Sequence, residues 1–230
     1  MREPAHTELP DATSATSVVP PARTRTNNPQ RTMTDILAVA TREFAERGLS
    51  GARIDAIAES TQTSKRMIYY YFGSKKGLYL AVLEKAYQDI RDIETESHLE
   101  TLPPKEALRK LVAFTYDHHF ANPEFIRLVA NENLHRGEFL AQSPTIRELN
   151  ATAITTLSAI CERGIQAGVF RPGIDALDLH MSISSLCVFN VANRHTFSLI
   201  FKYDFDDAQT IAKRRESVVE MVMRFVCLTA

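Results

Sequence analysis

From residue 30 onward, apolar residues recur at three- and four-residue intervals in long segments, and the remaining prolines fall only between those segments. Strict apolar alternation bounded by turn residues, the mark of a half-buried strand, does not occur in any convincing run. A chain patterned this way buries one stripe per helix, so the expected fold class is all-α with about nine helices. The segments run Arg31 to Arg47, Arg53 to Ser60, Ser64 to Tyr71, Ser74 to about Glu96, and Lys105 to Phe120. They continue with Pro123 to Leu134, Pro144 to Ala167, Asp175 to Ile200 and Asp207 to Val226. Gly48 follows the first as a C-terminal stop, and Pro123 and Pro144 stand where first-turn prolines belong.

Residues 1–29 are of another kind. Five of the ten prolines lie there, with Ser, Thr and Ala filling most of the rest. Such a segment cannot bury enough apolar area to offset its ordering entropy, so a disordered tail is expected. It has no apolar run of the kind a secretory signal carries, and no stretch of the chain approaches the ~18 apolar residues of a membrane span. Cys161, Cys187 and Cys227 form no zinc-type spacing and are odd in number. A reduced, cytoplasmic protein without metal or other cofactor is the expectation.

With 27 basic and 28 acidic side chains the net charge is −1, so global charge does not advertise nucleic-acid binding. Its distribution is more telling. Residues 30–90 hold nine basic and seven acidic side chains, whereas residues 91–230 hold fifteen and eighteen. The positive half contains RIDAIAESTQTSKRMIYYYF at 53–72, two short helical segments joined by a three-residue turn. That is the spacing of a helix-turn-helix, whose second helix enters the major groove of DNA.

The exposed start of that second helix is rich in donors: Thr63, Ser64, Lys65 and Arg66. Lys65 and Arg66 can reach guanine O6 and N7, and Tyr69 and Tyr70 lie a turn further on, where a phenol meets phosphate or a thymine methyl. Ile68 and Phe72 at i, i+4 spacing hold the helix to its scaffold. Gly73-Ser74-Lys75-Lys76 then opens a longer helix, whose amide N–H groups and lysines suit a phosphate. Arg23, Arg25 and Arg31, with no acid between Pro20 and Arg31, could enter a minor groove as a basic arm.

These elements together resemble the N-terminal DNA-binding domain of TetR-type transcriptional regulators. The resemblance rests on "FAERG" closing the first helix, on "IDAIAE", on "SKRMIYYYF" and on "GSKKGLYLAVL", over about 60 residues from Arg31 to Asp89. It implies a three-helix DNA-binding domain over 30–90 and a helical effector-binding and dimerisation domain over 91–230. It also implies Thr63, Lys65, Arg66, Tyr69 and Tyr70 as base or backbone contacts and Lys75 as a phosphate contact. Two positions depart from the family pattern. Ala52-Arg53 stands where a Thr cap is common, which loses ~1 kcal/mol and offers Arg53 as a phosphate contact. Arg66-Met67 replaces a small pair, so base preference does not carry over from relatives.

The C-terminal region holds more apolar surface on its last two helices than one stripe requires. Leu179, Ile183, Leu186, Cys187 and Val191 form a row with Met181, Val188 and Phe189 beside it, and Val218, Val222, Phe225 and Val226 form another. Burying both helices against a second copy gives a four-helix dimer, which would set two reading heads on a palindromic operator in double-stranded DNA. A small-molecule site is expected where polar groups interrupt apolar faces. The candidates are His118, His119, Phe125, Leu128, Glu132, Asn133, Arg136, Phe189, Asn190, Asn193 and Arg194. Arginines and histidines in that set favour an anionic effector.

The resulting expectation is a ligand-responsive repressor and not an enzyme. Glu132-Asn-Leu-His135 is one Glu-x-x-His unit where a di-iron bundle needs two, and no catalytic motif is present. An effector-independent, constitutive or architectural DNA-binding protein is the alternative reading.

Overall fold

The computed structural model describes residues 28–228, and its ordered elements among these are ten α-helices and two short 3-10 turns. In chain order they are α1 (Pro29–Gly51), α2 (Ile54–Ser60), α3 (Lys65–Phe72), α4 (Lys75–Glu96) and α5 (Pro104–Ala121). The rest are α6 (Pro123–Leu134), α7 (Pro144–Gln166), α8 (Ala176–Ala192), α9 (Arg194–Phe201) and α10 (Ala208–Val226). The all-α reading holds.

Helix starts follow from side-chain chemistry. Asn28, Ser64, Ser74, Ser143, Asp175 and Asp207 each accept a hydrogen bond from an N–H in the first turn of the helix they precede. Pro29, Pro104, Pro123 and Pro144 occupy first-turn positions that have no intrahelical N–H bond to lose. Gly48, at φ 63° and ψ 176°, breaks α1 and leaves one further turn to Gly51.

Two details differ from the sequence reading, and part of a third lies outside the described residues. Helix α1 starts at Pro29, capped by Asn28, so these residues belong to the first helix rather than to the tail. Arg23 and Arg25 lie outside the described residues, while Arg31 sits exposed in the first turn of α1. The segment expected as one helix over 175–200 is two, divided at Asn193 (φ −104°, ψ 3°). The turn folds α9 back so that Phe197 packs on Phe189, Phe201, Tyr203 and Phe205, with ring centroids 4.5–5.9 Å apart. That gain comes from residues beyond the helix, and no local periodicity contains it.

Two hydrophobic cores result. One joins α1–α4 around Ile36, Phe44, Ile57, Ile68, Leu78 and Val82, and also takes in Leu128 of α6, Phe139 and Ile146. The other joins α5, α7, α8 and α10 around Leu108, Val112, Leu157, Ile160, Ile183 and Val222. Helix α4 leads away from the first core and packs on α7 and α5, and α7 contributes to both cores, Ile146 to the first and Leu157 and Ile160 to the second.

Gly164 shows how tightly the second core is closed. A Cβ there would lie 1.9 Å from the ring of Phe170, itself fully buried. Gly164→Ala is therefore expected to lower stability by about 1–3 kcal/mol through overpacking. Chemical denaturation with DNA-binding helices intact at low denaturant checks this.

Candidate nucleic-acid interface and ligand cavity

The helix-turn-helix is held from below and open above. Ile57 and Ile68 are fully buried, and Ala58 nearly so, while Lys65, Arg66, Tyr69 and Tyr70 are exposed. The turn is closed by the Thr63 amide donating to Ala58 O at 3.0 Å and by the Thr61 hydroxyl donating to Ile57 O at 2.8 Å. Ser64 caps α3 by accepting from the Met67 amide at 3.2 Å. Tyr70, 77% exposed, is the more exposed of the two tyrosines, Tyr69 being 43% exposed.

Several of the expected contacts already have internal partners. The Lys65 ammonium is bonded to the Asp55 carboxylate of α2, and that bond holds Asp55 below the ordinary carboxylate range. Arg53 makes no side-chain cap for α2; its own amide donates to Glu43 Oε1 at 3.0 Å, and its guanidinium is 4.0 Å from Asp55. Lys75 donates to Ser50 O at 3.2 Å, tying the start of α4 to the end of α1. The neighbouring Lys76 is exposed and lies over the Phe139 ring at 5.5 Å. Asp55 carries the feature that sequence reasoning missed: a carboxylate in the first turn of α2 that engages a lysine of α3.

A cavity of about 690 Å³ lies between α4, α5, α6, α7 and α8. Its walls are mostly apolar, with the rings of Tyr87, Phe114 and Phe125 among them, and it opens past Asn133 and Leu134, the latter 81% exposed. Of the eleven candidate residues, His119, Phe125 and Asn133 line it. His118 is turned to the other side of Phe125, into a groove between α1, α4, α5 and α6.

The remaining candidates stand elsewhere. Leu128 is fully buried in the core of α1–α4. Glu132 accepts from the amides of Phe139 and Leu140 at 3.2 and 2.9 Å, which orders the turn after α6. Arg136 is in an exposed turn at φ 58°. Phe189 packs on Phe197, and Asn190 bonds Leu186 O and the Arg214 guanidinium. Asn193 marks the α8–α9 break, and Arg194 pairs with Asp206 over the Phe120 ring. A stripe read on one helix does not say which of two neighbours it faces.

Sequence reading did not find the polar groups that α4 and α8 contribute: Arg91, Glu94, His180 and Ser184. Arg91 and Glu94 form an ion pair through Nη1 and Oε2, with side chains only 12% and 9% exposed. Burial pulls the Arg91 guanidinium down and pushes the Glu94 carboxyl up. Burial first, then repulsion from His118 when it is protonated, from Arg91 and from a protonated His180, pushes His119 down to about 4. His118 and His180 are lowered too, chiefly by burial. All three are therefore neutral near pH 7. Arg91 Nε and the Nδ1 atoms of His118 and His119 are buried with no hydrogen-bond partner.

Helix α6 joins the two regions. Phe125, Ile126 and Val129 face the cavity, whereas Leu128 enters the first core and Asn131 donates to Phe44 O at 3.3 Å. Among the described residues no group of three or more His, Cys, Asp or Glu could hold a metal ion, and no helix is long and apolar enough to cross a membrane.

Comparison with known proteins agrees with this architecture. Residues 36–82 match "Bacterial regulatory proteins, tetR family", and residues 104–222 match "Tetracyclin repressor-like, C-terminal domain". The HTH-type transcriptional repressor NicS of Pseudomonas putida is 37% identical over 200 residues, 87% of this chain and 94% of its own. The SCO4942 protein of Streptomyces coelicolor superposes with TM-score 0.66 at 26% identity, covering 85% of this chain and 98% of that one. FadR of Bacillus subtilis in complex with stearoyl-CoA superposes with TM-score 0.64 at 20% identity, covering 84% and 98%. With both halves matched by the models of one regulator family and a 37% identical repressor aligned over most of its length, the helix-turn-helix and the all-helical body behind it are those of a DNA-binding transcriptional repressor. The chain belongs to the TetR family.

The buried histidines make stability depend on acid. A His119 pKa depressed to about 4 against about 6.5 unfolded stabilises the fold fully above the unfolded value. That contribution, on the order of 3 kcal/mol, is lost as pH falls from about 6.5 towards 4, because the unfolded chain then binds the extra proton. Thermal melts across this range are expected to show a falling Tm, with a shallower slope in His119→Gln.

Proposed function

We propose that this chain is a cytoplasmic, homodimeric one-component repressor that holds a palindromic operator through α3 and lets go on binding an anionic small molecule. The observation that carries the reading is α6: one helix lines the cavity on one side and supplies Leu128 to the core of the reading head on the other. Residues 30–90 act as the DNA-binding domain and residues 91–230 as the effector and dimerisation domain. Catalysis has no part in it.

On DNA, Thr63, Ser64, Lys65 and Arg66 face base edges, and Tyr69 and Tyr70 face the backbone or thymine methyls. Lys65 exchanges Asp55 for its DNA partner on docking, while Arg53 and Lys75 flank the groove near phosphates. Arg23, Arg25 and Arg31 form the arm.

The second copy covers the outer face of α8 and α10, where Leu177, Met181, Phe189, Met221 and Phe225 are 42–63% exposed. Burial of such large apolar groups drives association, and two-fold symmetry then sets the spacing of the heads. Inside the cavity, the Arg91 guanidinium and His119 are the groups that receive an anionic group. The effector binds better to the dimer whose heads are wrongly spaced for successive major grooves, so occupancy lowers DNA affinity. Movement of α6 and of the continuous α4 carries the change.

Fluorescence anisotropy on a duplex from the region flanking the gene tests this, with an unrelated duplex as control. Specific binding at least ~10³-fold tighter than the control is expected, and Arg66→Ala should cost about 1–3 kcal/mol of it. Equal affinity for both duplexes, collapsing with salt, would leave only non-specific binding. A monomer at micromolar concentration in sedimentation would remove the dimer.

A further inference from the structure

The cavity wall holds a charge arrangement that an empty apolar pocket does not need. Arg91 is committed to Glu94 through Nη1 alone, and its Nε points into buried space without an acceptor. On α5, His119, 5% exposed, carries an Nδ1 that is also buried and without a partner. Unpaired buried polar atoms cost free energy, and the Arg91, Glu94 and His119 side chains that surround them all line the cavity, so an entering polar group meets this charged wall.

We propose that Glu94 is an internal stand-in for the effector's anionic group: it neutralises Arg91 while the cavity lacks effector, and the effector enters by taking over that guanidinium. The inference rests on the anionic-effector reading above and adds a competitor to it.

The charge count shows the consequence. Arg91 and Glu94 sum to zero, and the charged or titratable neighbours are Tyr87 on α4, His118 and His119 on α5, and His180 on α8. From α6 and α7 the cavity receives Asn133 and Asn150, which carry no charge. Near pH 7 the histidines and the phenol are neutral. An entering anion therefore leaves one uncompensated negative charge in a largely apolar cavity, which is strongly disfavoured. Neutrality returns when Glu94 takes a proton from solvent, and burial already favours its protonated form. Effector uptake is thus coupled to uptake of one proton, and affinity for an anion rises as pH falls.

This coupling also reaches the DNA-binding half. Arg91 and Glu94 stand on the last turns of α4, whose first turn follows the reading helix. Replacing an i, i+3 partner by a ligand held between helices changes what the end of α4 is tied to, without a change in net charge.

The test uses hexanoate as the probe and the isosteric neutral hexanamide as control, followed by calorimetry between pH 6 and 8 on the full chain. Wild type is expected to bind hexanoate with affinity that falls by up to about tenfold per pH unit, with hexanamide indifferent to pH. Glu94→Gln removes the competitor, so hexanoate should bind at least about tenfold tighter at pH 8 and lose its pH dependence. Arg91→Met should lose the preference for hexanoate over hexanamide. A pH-independent affinity in wild type overturns the proposal, and needs no variant to fold. So does a Glu94→Gln protein that keeps the pH dependence, which would put the proton on a histidine, or one that takes up hexanoate no better than wild type. Operator binding by wild type, measured separately, is untouched by these outcomes, so failure here and failure of the repressor reading are distinct.

Discussion

The docking of α6 against α1 is the interaction on which the rest of the molecule turns. Leu128 is fully buried among residues of the DNA-binding half, and Asn131 ties its side chain to the carbonyl of Phe44 one turn before the break at Gly48. Glu132 sets the chain after the helix by accepting two amides, which carries Phe139 onto Tyr79 at 5.4 Å between ring centroids. Without this contact the two cores would be joined only through α4 and α7, and a ligand in the cavity would have less to push against. Close-packed cores have few intermediate arrangements, so a helix shared between two of them passes on a shift rather than absorbing it.

The electrostatics of the cavity work in the same direction. Its two histidines, His119 and His180, are kept neutral chiefly by burial, and the single arginine of the wall is compensated by its own neighbour on the helix. A site neutral in each of its parts can stay in a protein interior until a ligand arrives. On the reading face the logic is similar but solvated: Asp55 holds Lys65 in an exposed pair, which is worth little in water and is readily exchanged.

Much of this was legible beforehand. Helix-turn-helix spacing, Gly48 as a stop, Pro123 and Pro144 as starts and the inward set Ile57, Ile68 and Phe72 are short-range features, and backbone sterics and 3.6-residue periodicity decide them within a turn or two. The cavity was legible only in part. His119, Phe125 and Asn133 could be found because polar groups beside apolar stripes on α5 and α6 are unusual. Arg91 and Glu94 read as ordinary solvated charges on a long helix, since nothing in α4 announces that α5 and α8 will cover them. Leu128 and Glu132 share a stripe with Phe125, yet α6 lies between two bodies and its two sides are divided among them.

The amino-acid sequence by itself determined that this chain is helical, where most helices begin and end, and which short helix presents donors to a groove. Those properties follow from local conformational preference and from the period of the apolar residues. Tertiary structure alone decided that α8 stops at Asn193, that Lys65 leans on Asp55, that α6 faces two ways and that Arg91 is covered with its Nε left without a partner. Each depends on which helices meet, and the free energy of that choice is spread over many small contacts far apart in the chain. No single stretch of sequence contains it.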